Sequence, residues 1–301
     1  MRFRGALAVA VVAAAMVLTM APVASAATEF PVGYEGYHTY PEIDAELDQV
    51  VAGYGQGGGA IVRRSVIGRT YEGRQIWALK ISDNVASDED EPEVLAECGM
   101  HAREHITVEM CLSMIDLLTS NYGQPTAVGN RVTDIVNSRE IWVIPTLNPD
   151  GAEDNISDGV FHAWRKNRPP TPGTSATGID LNRNFGFMWG CCGGSSTKPT
   201  SGTYRGRYPF EATEARVLRD FILSRRVGNR QQLRTVFNWH AFGEYIYYPY
   251  GYTKTDVPST MTADDHDAFV ALANKMASLN GYTARQGSDS YIYDGDFPAW
   301  G

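Results

Sequence analysis

The amino-acid sequence predicts a mixed α/β fold, in which a twisted sheet of parallel and antiparallel strands is covered by helices on both faces. Short apolar runs with strand character alternate along the chain with longer segments of helical periodicity, and this order is typical of such sheets. Of the 301 residues, 43% are hydrophobic and 20% are charged, so the chain can bury one substantial core. We find no internal repeat and expect one folded domain over residues 27–301.

Local signals predict the first elements. Thr39 and Glu42 form a capping-box signature, and the apolar residues that follow at helical spacing mark the buried stripe of a helix. A glycine-rich segment at 53–59 ends that helix. Two strand-like runs at 61–67 and 75–82 then predict an antiparallel hairpin.

The later elements follow the same alternation. Further strands are predicted at 94–98, 140–145, 235–239 and 245–248, and further helices at 107–120, 211–223 and 263–279. Between them lies a long segment at 148–207 that is rich in Gly, Pro, Ser and Asn. A long irregular stretch inside a compact domain is usually functional, so we expect site residues there.

His101 and Glu104 stand three residues apart, just after a strand-like run and before an amphipathic helix. Together they can offer an imidazole nitrogen and a carboxylate oxygen to one zinc ion, and a catalytic zinc usually has three protein ligands and one open position. His240 is the candidate third ligand, because it closes another strand-like run and ligands gather at strand ends. The other histidines outside this motif fit less well, since they lie in loop-like or polar helical sequence: His38, His162 and His266.

Two other interpretations of this motif compete with a ligand pair. Glu104 could be a first-turn carboxylate that the helix dipole favours. Residues 101–105 also match the H-x-x-E-H pattern of inverted zincins, in which both histidines bind zinc and the glutamate is the base. That pattern needs both histidines on one helix face, whereas Gly99 and the run before it indicate that His101 precedes the helix. We therefore favour Glu104 as a ligand and His105 as its neighbour.

Six motifs in order resemble the zinc carboxypeptidases of the carboxypeptidase A, B and T family, over about residues 37–301. They lie at 101–104, 148–151, 164–168, 180–184, 248–252 and 291–295. The resemblance implies a zinc carboxypeptidase-like fold and a secreted bacterial enzyme of the carboxypeptidase T type, which removes residues from peptide and protein C-termini. It also implies one Zn²⁺ per chain held by His101, Glu104 and His240, since two histidines and a glutamate are the known ligands in carboxypeptidase A.

The resemblance further implies roles for polar residues in the long irregular segment. Asn182 and Arg183 match the pair that receives the terminal carboxylate of the substrate, a task suited to the planar donor fork of a guanidinium. Arg165 matches the residue that stabilises the oxyanion formed during hydrolysis. Arg103 matches a residue that contacts the substrate further from its terminus.

Tyr291 matches the tyrosine that caps the bound substrate, and counting back nine positions from Trp300 selects it over Tyr293. The residues between this tyrosine and Trp300 line the pocket for the C-terminal side chain in the family. Asp296 is acidic there, whereas Ala299 stands where the family has an aspartate. We therefore expect a mixed preference for C-terminal side chains.

In the family, the general base is a glutamate on a strand after the capping tyrosine, and no glutamate follows Tyr291 in this sequence. We therefore expect the C-terminal part of the fold to be incomplete and the 301-residue chain to have little or no peptidase activity. A zinc-binding and peptide-binding protein without catalysis is one alternative function, and a cell-wall peptidase of the same fold is another. Asn182 and Arg183 favour a substrate with a free carboxylate.

The first 26 residues have the pattern of a secretory signal peptide. Arg2 and Arg4 precede an apolar segment at 6–20, and small residues at 24–26 supply a cleavage site. The apolar run is short for a membrane span, so we expect a secreted, extracellular monomer without stable membrane association. Removing 1–26 leaves 24 basic and 35 acidic residues, a net charge of −11, which argues against nucleic acid as a partner.

Export makes disulfides possible, and the chain has four cysteines: Cys98, Cys111, Cys191 and Cys192. Four cysteines allow three pairings, and the sequence does not decide among them. Cys191 and Cys192 are adjacent, so they form a vicinal bridge or pair elsewhere, and Cys98 could remain a buried thiol.

A dense acidic cluster at 82–93 includes Asp88 and Glu89. A solvated acidic loop is the simpler interpretation of this cluster. Oxygen ligands packed this closely can also bind calcium, and some bacterial proteins that the chain resembles are stabilised by calcium. A structural Ca²⁺ near Asp88 and Glu89 is therefore a second metal prediction.

Overall fold

A five-stranded sheet runs through the centre of the fold. The computed structural model describes residues 30–300, so the predicted signal peptide at 1–26 lies outside the described residues. The strands are β1 (Val62–Arg69), β2 (Gln75–Ile81), β3 (Glu93–Glu97), β4 (Glu140–Ile144), β5 (Arg226–Val227), β6 (Arg230–Gln231), β7 (Leu233–Asn238), β8 (Tyr245–Tyr248) and β9 (Thr283–Gln286). The α-helices are α1 (Tyr40–Tyr54), α2 (Ile106–Asn121), α3 (Ala127–Val136), α4 (Pro149–Asn155), α5 (Thr213–Ser224), α6 (Ala263–Asn280) and α7 (Phe297–Trp300). Within residues 30–300, none of these helices is long and apolar enough to cross a membrane.

The central sheet is mixed, as the sequence predicts. Its strands lie in the order β1-β2-β4-β3-β7. Strand β2 pairs antiparallel with β1 and β4, whereas β3 pairs parallel with β4 and β7. Strands β5 and β6 form a small antiparallel pair, and β8 and β9 form a small parallel pair. Because β3, β4 and β7 run the same way, their carboxyl ends lie side by side at one edge, where such sheets gather functional residues.

Helices cover both faces of this sheet. Leu79 and Ala96 enter one apolar cluster, together with side chains from α1, α2 and α3. Their chain neighbours Ala78 and Leu95 enter a second cluster, together with side chains from α5. Successive residues of a strand point to opposite faces, so the two clusters lie on opposite sides of the sheet. The predicted α/β architecture is confirmed.

Local capping explains both a predicted helix and an unpredicted one. The Glu42 carboxylate accepts hydrogen bonds from the N–H and the hydroxyl of Thr39, at 2.8 and 2.7 Å, so the signature that predicts α1 caps it in the structure. The sequence does not predict α3, α4 or α7, nor the short strands β5, β6 and β9. Helix α4 has a turn-like sequence, and it forms because the Asn148 side chain accepts a hydrogen bond from the N–H of Gly151 at 3.1 Å and a proline occupies the first turn.

The structure selects one of the three disulfide pairings that the sequence leaves open. Cys98 is bonded to Cys111, with 6.3 Å between their Cα atoms. The adjacent residues Cys191 and Cys192 form a vicinal bridge. The first bridge fastens the chain just after β3 to helix α2, whereas the second closes a ring within an exposed loop.

In the acidic segment at 82–93, Asp88 forms ion pairs with two basic side chains. The Asp88 carboxylate lies 3.3 Å from Nζ of Lys80 and 3.0 Å from Nη2 of Arg225. Glu89 accepts a hydrogen bond from the amide of Asn84 at 3.1 Å. Among residues 30–300, the one group of His, Cys, Asp or Glu side chains with metal-ligand spacing lies elsewhere. The structure therefore gives no support to calcium near Asp88 and Glu89.

Candidate metal centre and substrate cleft

A sharp turn after β3 places His101 and Glu104 at the carboxyl edge of the sheet. Gly99 has a positive φ of 66°, and a Cβ there would lie 2.9 Å from the Cα of Thr146, so the turn requires glycine. Helix α2 begins only at Ile106. Both His101 and Glu104 therefore precede the helix, as the sequence analysis expects for His101.

His240 reaches the same edge from the neighbouring strand. It follows β7 by two residues, and β7 pairs with β3 in the register that sets Asn238 opposite Glu97. Because the two strands are parallel, the segments that leave them emerge together. The sheet thus brings together three residues that span positions 101 to 240.

The three side chains form a compact set of donors. Nδ1 of His101 lies 3.0 Å from Oε1 of Glu104, and Nδ1 of His240 lies 2.9 Å from Oε2 of the same carboxylate. One donor atom from each residue lies within 4.8 Å of the others. His101 and Glu104 are buried, whereas the side chain of His240 is 32% exposed. Two imidazole nitrogens and a carboxylate at this spacing fit zinc, and the partial exposure is compatible with an open coordination position.

The pKa of the Glu104 carboxyl lies well below its usual range. Burial alone would raise this pKa, but the electrostatic interactions and hydrogen bonds of the carboxyl with His101 and His240 outweigh burial. Glu104 is consequently an anion in this environment. An ionised carboxylate is the form that binds a metal.

Asp180 supports the cluster from behind and is not among the site residues predicted from the sequence. Its Oδ1 atom lies 3.1 Å from Nε2 of His101, on the ring edge opposite to Glu104. Burial would raise the pKa of Asp180, but Arg165 and His101 lower it below its usual range. A carboxylate on the outer nitrogen of a histidine orients the ring and makes its inner nitrogen a better ligand. The position of Asp180 at the head of the 180–184 motif is the signal that could have identified it.

Arg165 lies between this carboxylate and the cluster. Its Nε and Nη2 atoms each lie 3.0 Å from Oδ2 of Asp180. Its Nη1 atom lies 3.7 Å from Oε1 of Glu104. The ion pair with Asp180 fixes the guanidinium beside the three donors, where it can interact with negative charge.

Asn182 and Arg183 belong to a short 3₁₀ turn that Asp180 caps, since Oδ1 of Asp180 accepts a hydrogen bond from the N–H of Asn182 at 3.1 Å. Arg183 is 2% exposed, and its Nε donates to the carbonyl of Gly194 at 3.2 Å. Its guanidinium lies 5.3 Å from the ring centre of Tyr293. These contacts hold the guanidinium in one orientation.

A cleft of about 720 Å³ is lined by Arg165, whose guanidinium also lies 3.7 Å from Glu104 of the cluster, and no acidic side chain lines this cleft within residues 30–300. Arg103, Arg165 and Arg183 line this cleft together with Tyr291. Tyr291 is 58% exposed, whereas Tyr293 is partly buried. The structure thus gathers Arg103, Arg183 and Tyr291 around one basic cleft, whereas Asn182 does not line it and lies 3.1 Å from His240.

His105 faces away from the three donors. It is buried, and its Nε2 lies 2.9 Å from the side-chain amide nitrogen of Asn155. The ring of Phe30 packs edge-on against it at 4.8 Å. Burial lowers the pKa of His105 to about 4, so the ring is neutral near pH 7. The arrangement does not fit the inverted-zincin pattern, in which His105 would be a ligand.

Asp296 is a buried acidic residue close to Arg183, and it is not among the residues that line the cleft. It is 2% exposed, and its Oδ2 accepts a hydrogen bond from the N–H of Ala299 at 3.2 Å. Burial raises the pKa of Asp296 to about 6, although the charge of Arg183 opposes this rise. Asp296 therefore changes charge in the mildly acidic range.

The chain is similar in sequence to known zinc carboxypeptidases. The family model described as zinc carboxypeptidase matches residues 44–298. The chain is 46% identical over 272 residues to a zinc carboxypeptidase from Saccharothrix mutabilis subsp. capreolus, a match that covers 90% of this chain and 60% of the relative. It is 30% identical over 273 residues to human carboxypeptidase B, covering 87% of this chain and 61% of the relative. The chain thus spans about three fifths of the length of these curated relatives.

Solved structures are similar in fold. Bovine thrombin-activatable fibrinolysis inhibitor, solved in complex with tick carboxypeptidase inhibitor, has a TM-score of 0.72 and 26% sequence identity to this chain. That match covers 88% of this chain and 81% of the other. A carboxypeptidase A from Helicoverpa armigera also has a TM-score of 0.72 and 26% identity, over 86% of this chain and 60% of the other.

Proposed function

This chain belongs to the zinc carboxypeptidase family. On that premise, we propose that its function is that of a secreted zinc enzyme, which hydrolyses the C-terminal peptide bond of peptides and proteins. One observation carries the proposal: Arg165 lies 3.7 Å from Glu104 in the cluster with His101 and His240, and it also lines a cleft that holds further arginines and no acidic side chain among the described residues. A C-terminal carboxylate is an anion that such a cleft attracts.

His101, Glu104 and His240 would hold one Zn²⁺. A zinc ion bound in such a site acidifies a water molecule and polarises the scissile carbonyl. Asp180 would keep His101 oriented through its outer nitrogen, 3.1 Å away.

Asn182 and Arg183 would bind the terminal carboxylate of the substrate. The hydrogen bond of Arg183 to Gly194 and the packing of its guanidinium on Tyr293 reduce the freedom of its side chain before any substrate arrives. Such preorganisation lowers the entropy lost on binding. The site would therefore distinguish a free C-terminus from an amide.

Three further residues would act on the rest of the substrate. Arg165 would stabilise the oxyanion, because its guanidinium is already fixed beside the donor cluster. Tyr291, at the exposed side of the cleft, would cap the bound peptide, and Arg103 would contact residues further from the terminus. Glu104 and Asp180 are both hydrogen-bonded to histidine or arginine side chains. We therefore assign to neither carboxylate the transfer of a proton to the leaving amine.

Secretion and substrate preference complete the proposal. The signal-peptide pattern at 1–26 supports export. The buried carboxyl of Asp296, close to Arg183, supports a mixed preference that includes basic C-terminal side chains. Analysis of the amino acids released from a peptide library would contradict this preference if only one side-chain class appeared.

A matched pair of peptides tests the central proposal. The 301-residue chain would be loaded with zinc and offered one peptide as the free acid and as the C-terminal amide, with binding followed by fluorescence anisotropy and hydrolysis by mass spectrometry. Zinc-dependent release of the last residue from the free acid alone supports the enzyme. Zinc-dependent binding of the free acid without release favours the zinc- and peptide-binding alternative. Equal binding of acid and amide would contradict carboxylate recognition.

A further inference from the structure

Behind His240, two residues at the ends of neighbouring strands form a chain of hydrogen bonds. Glu97 ends β3 and Asn238 ends β7, and the sheet register sets them opposite each other. The amide nitrogen of Asn238 donates a hydrogen bond to Oε2 of Glu97. The amide oxygen of Asn238 lies 2.7 Å from Nε2 of His240. These two hydrogen bonds connect the fully buried carboxyl group of Glu97 to His240 of the donor cluster.

Glu97 fixes the orientation of the Asn238 amide. Glu97 is fully buried, and its second oxygen, Oε1, has no hydrogen-bond partner among residues 30–300. A carboxylate only accepts hydrogen bonds, so the NH₂ group of Asn238 must face it. Burial raises the pKa of Glu97, and with the proton on the unpartnered Oε1, the Oε2 atom is still the carbonyl oxygen that accepts the bond from Asn238. The oxygen of Asn238 is therefore turned towards His240.

An amide oxygen also only accepts, so Nε2 of His240 must carry the proton that it shares with Asn238. In a neutral imidazole, the other nitrogen then has a free lone pair. That nitrogen is Nδ1, which lies 2.9 Å from Glu104 in the donor cluster. Without metal, Nδ1 shares a proton with this carboxylate, and a bound zinc ion would take the place of that proton. We propose that Glu97 and Asn238 are positioning residues that set the tautomer and ring orientation of His240 for metal binding. This inference rests on the proposed metal centre.

The proton on Nε2 of His240 also affects the hydrogen bonding of Asn182. The amide nitrogen of Asn182 lies 3.1 Å from Nε2 of His240, while its oxygen accepts a hydrogen bond from the N–H of Phe297 at 2.8 Å. Two donors cannot share a hydrogen bond, and the Asn238 oxygen is the nearer partner of Nε2. With the proton of Nε2 directed to Asn238, the N–H groups of Asn182 are left for the substrate carboxylate. One buried carboxyl group thereby prepares both a metal ligand and a substrate-binding amide.

Zinc affinity is the first test, measured on the full chain by competition with a chromophoric chelator. Asn238→Ala and Glu97→Leu each remove one link, and the expected loss is about 10- to 100-fold in zinc affinity. Glu97→Gln keeps an acceptor oxygen and is expected to stay within a few-fold of wild type. Thr235→Ala, on the same strand, is the matched control and is expected to leave zinc affinity unchanged.

The tautomer is the second test, and it uses the wild-type protein, so it does not depend on the folding of a variant. In ¹⁵N-histidine-labelled, metal-free protein, where both ring nitrogens are able to carry a proton, nuclear magnetic resonance should show a slowly exchanging Nε2–H on His240. A proton on Nδ1 instead would overturn the proposal, and so would wild-type zinc affinity in a folded Asn238→Ala variant. If the wild-type chain bound no zinc, the proposed metal centre would fall together with this inference. Zinc binding that is indifferent to both links would overturn the inference alone.

Discussion

Nε2 of His101 lies 3.1 Å from Oδ1 of Asp180, a carboxylate with no exposed surface. The other oxygen of Asp180 accepts from the guanidinium of Arg165 at 3.0 Å. Asp180 thus links a residue of the donor cluster to the arginine proposed to stabilise the oxyanion. A change at Asp180 should disturb both residues.

Asp180→Asn is expected to weaken zinc binding by about 10- to 100-fold. The amide retains an acceptor oxygen but lacks the charge that orients His101 and holds Arg165. Chelator competition measures the effect. Asp154→Asn is the control, because Asp154 also pairs with an arginine, at 2.9 Å from Arg168, but lies outside the cluster. Equal zinc affinity in the two variants would refute the role of Asp180.

Arg183→Lys is expected to weaken binding of a free-acid peptide by about 10- to 100-fold, because the loss of a charge-assisted hydrogen bond costs about 1.5–3 kcal/mol. Lysine keeps the charge but lacks the planar fork that can bind two carboxylate oxygens. Anisotropy with the free-acid and amide peptides measures the change. Binding of the amide should hardly change, and an equal loss for both peptides would show that the substitution disturbs the cleft instead.

The stability of the protein should depend on pH through Asp296. Its pKa is raised from 3.8 to about 6 in the folded state, so its contribution to stability is fully present below pH 3.8 and is lost as the pH rises through 6. The difference between these values corresponds to about 3 kcal/mol. The wild type should therefore lose up to that amount relative to Asp296→Asn between pH 4 and pH 7. Chemical unfolding at a series of pH values measures the difference, and Asp289→Asn, at an exposed site, is the control. A constant difference between wild type and Asp296→Asn would contradict the raised pKa.

The two disulfides should contribute unequally to stability. Cys98–Cys111 closes a loop over a sequence separation of 13, for which loss of chain entropy in the unfolded state predicts about 3 kcal/mol. Cys191–Cys192 joins adjacent residues and constrains the unfolded chain far less. Replacing the first pair by alanine should therefore lower the free energy of unfolding by about 3 kcal/mol, and replacing the second should cost much less. Urea unfolding of the two double variants measures both, and equal losses would argue against the entropic account.

Much of the fold could be predicted, because its signals are local. The capping pair Thr39 and Glu42 marks the start of α1, and the strand-like runs that precede His101 and His240 are β3 and β7. Helix α4 could not be predicted in this way, since a turn-like sequence becomes helical only when Asn148 caps it. The sequence also leaves the disulfide pairing open, because pairing depends on which cysteines the folded chain brings within bonding distance.

Supporting residues of the site were harder to identify than donors. A histidine after a strand-like run has a recognisable pattern, whereas Asp180 owes its role to His101, 79 residues away in the chain. No local sequence pattern identifies Asn238 as a supporting residue. Its role follows from Glu97, which lies opposite it across the sheet and fixes its amide.

The sequence by itself determined the alternation of strands and helices and the candidate donors His101, Glu104 and His240, because periodicity, capping and residue chemistry are local properties. Only the tertiary structure decided that Glu104 meets His240, 136 residues later, at 2.9 Å. It also decided which nitrogen of each histidine faces the cluster. The physical reason is that hydrogen-bond partners, burial and the pKa values that follow from them are set by parallel pairing of β3 with β7, a contact between distant parts of the chain.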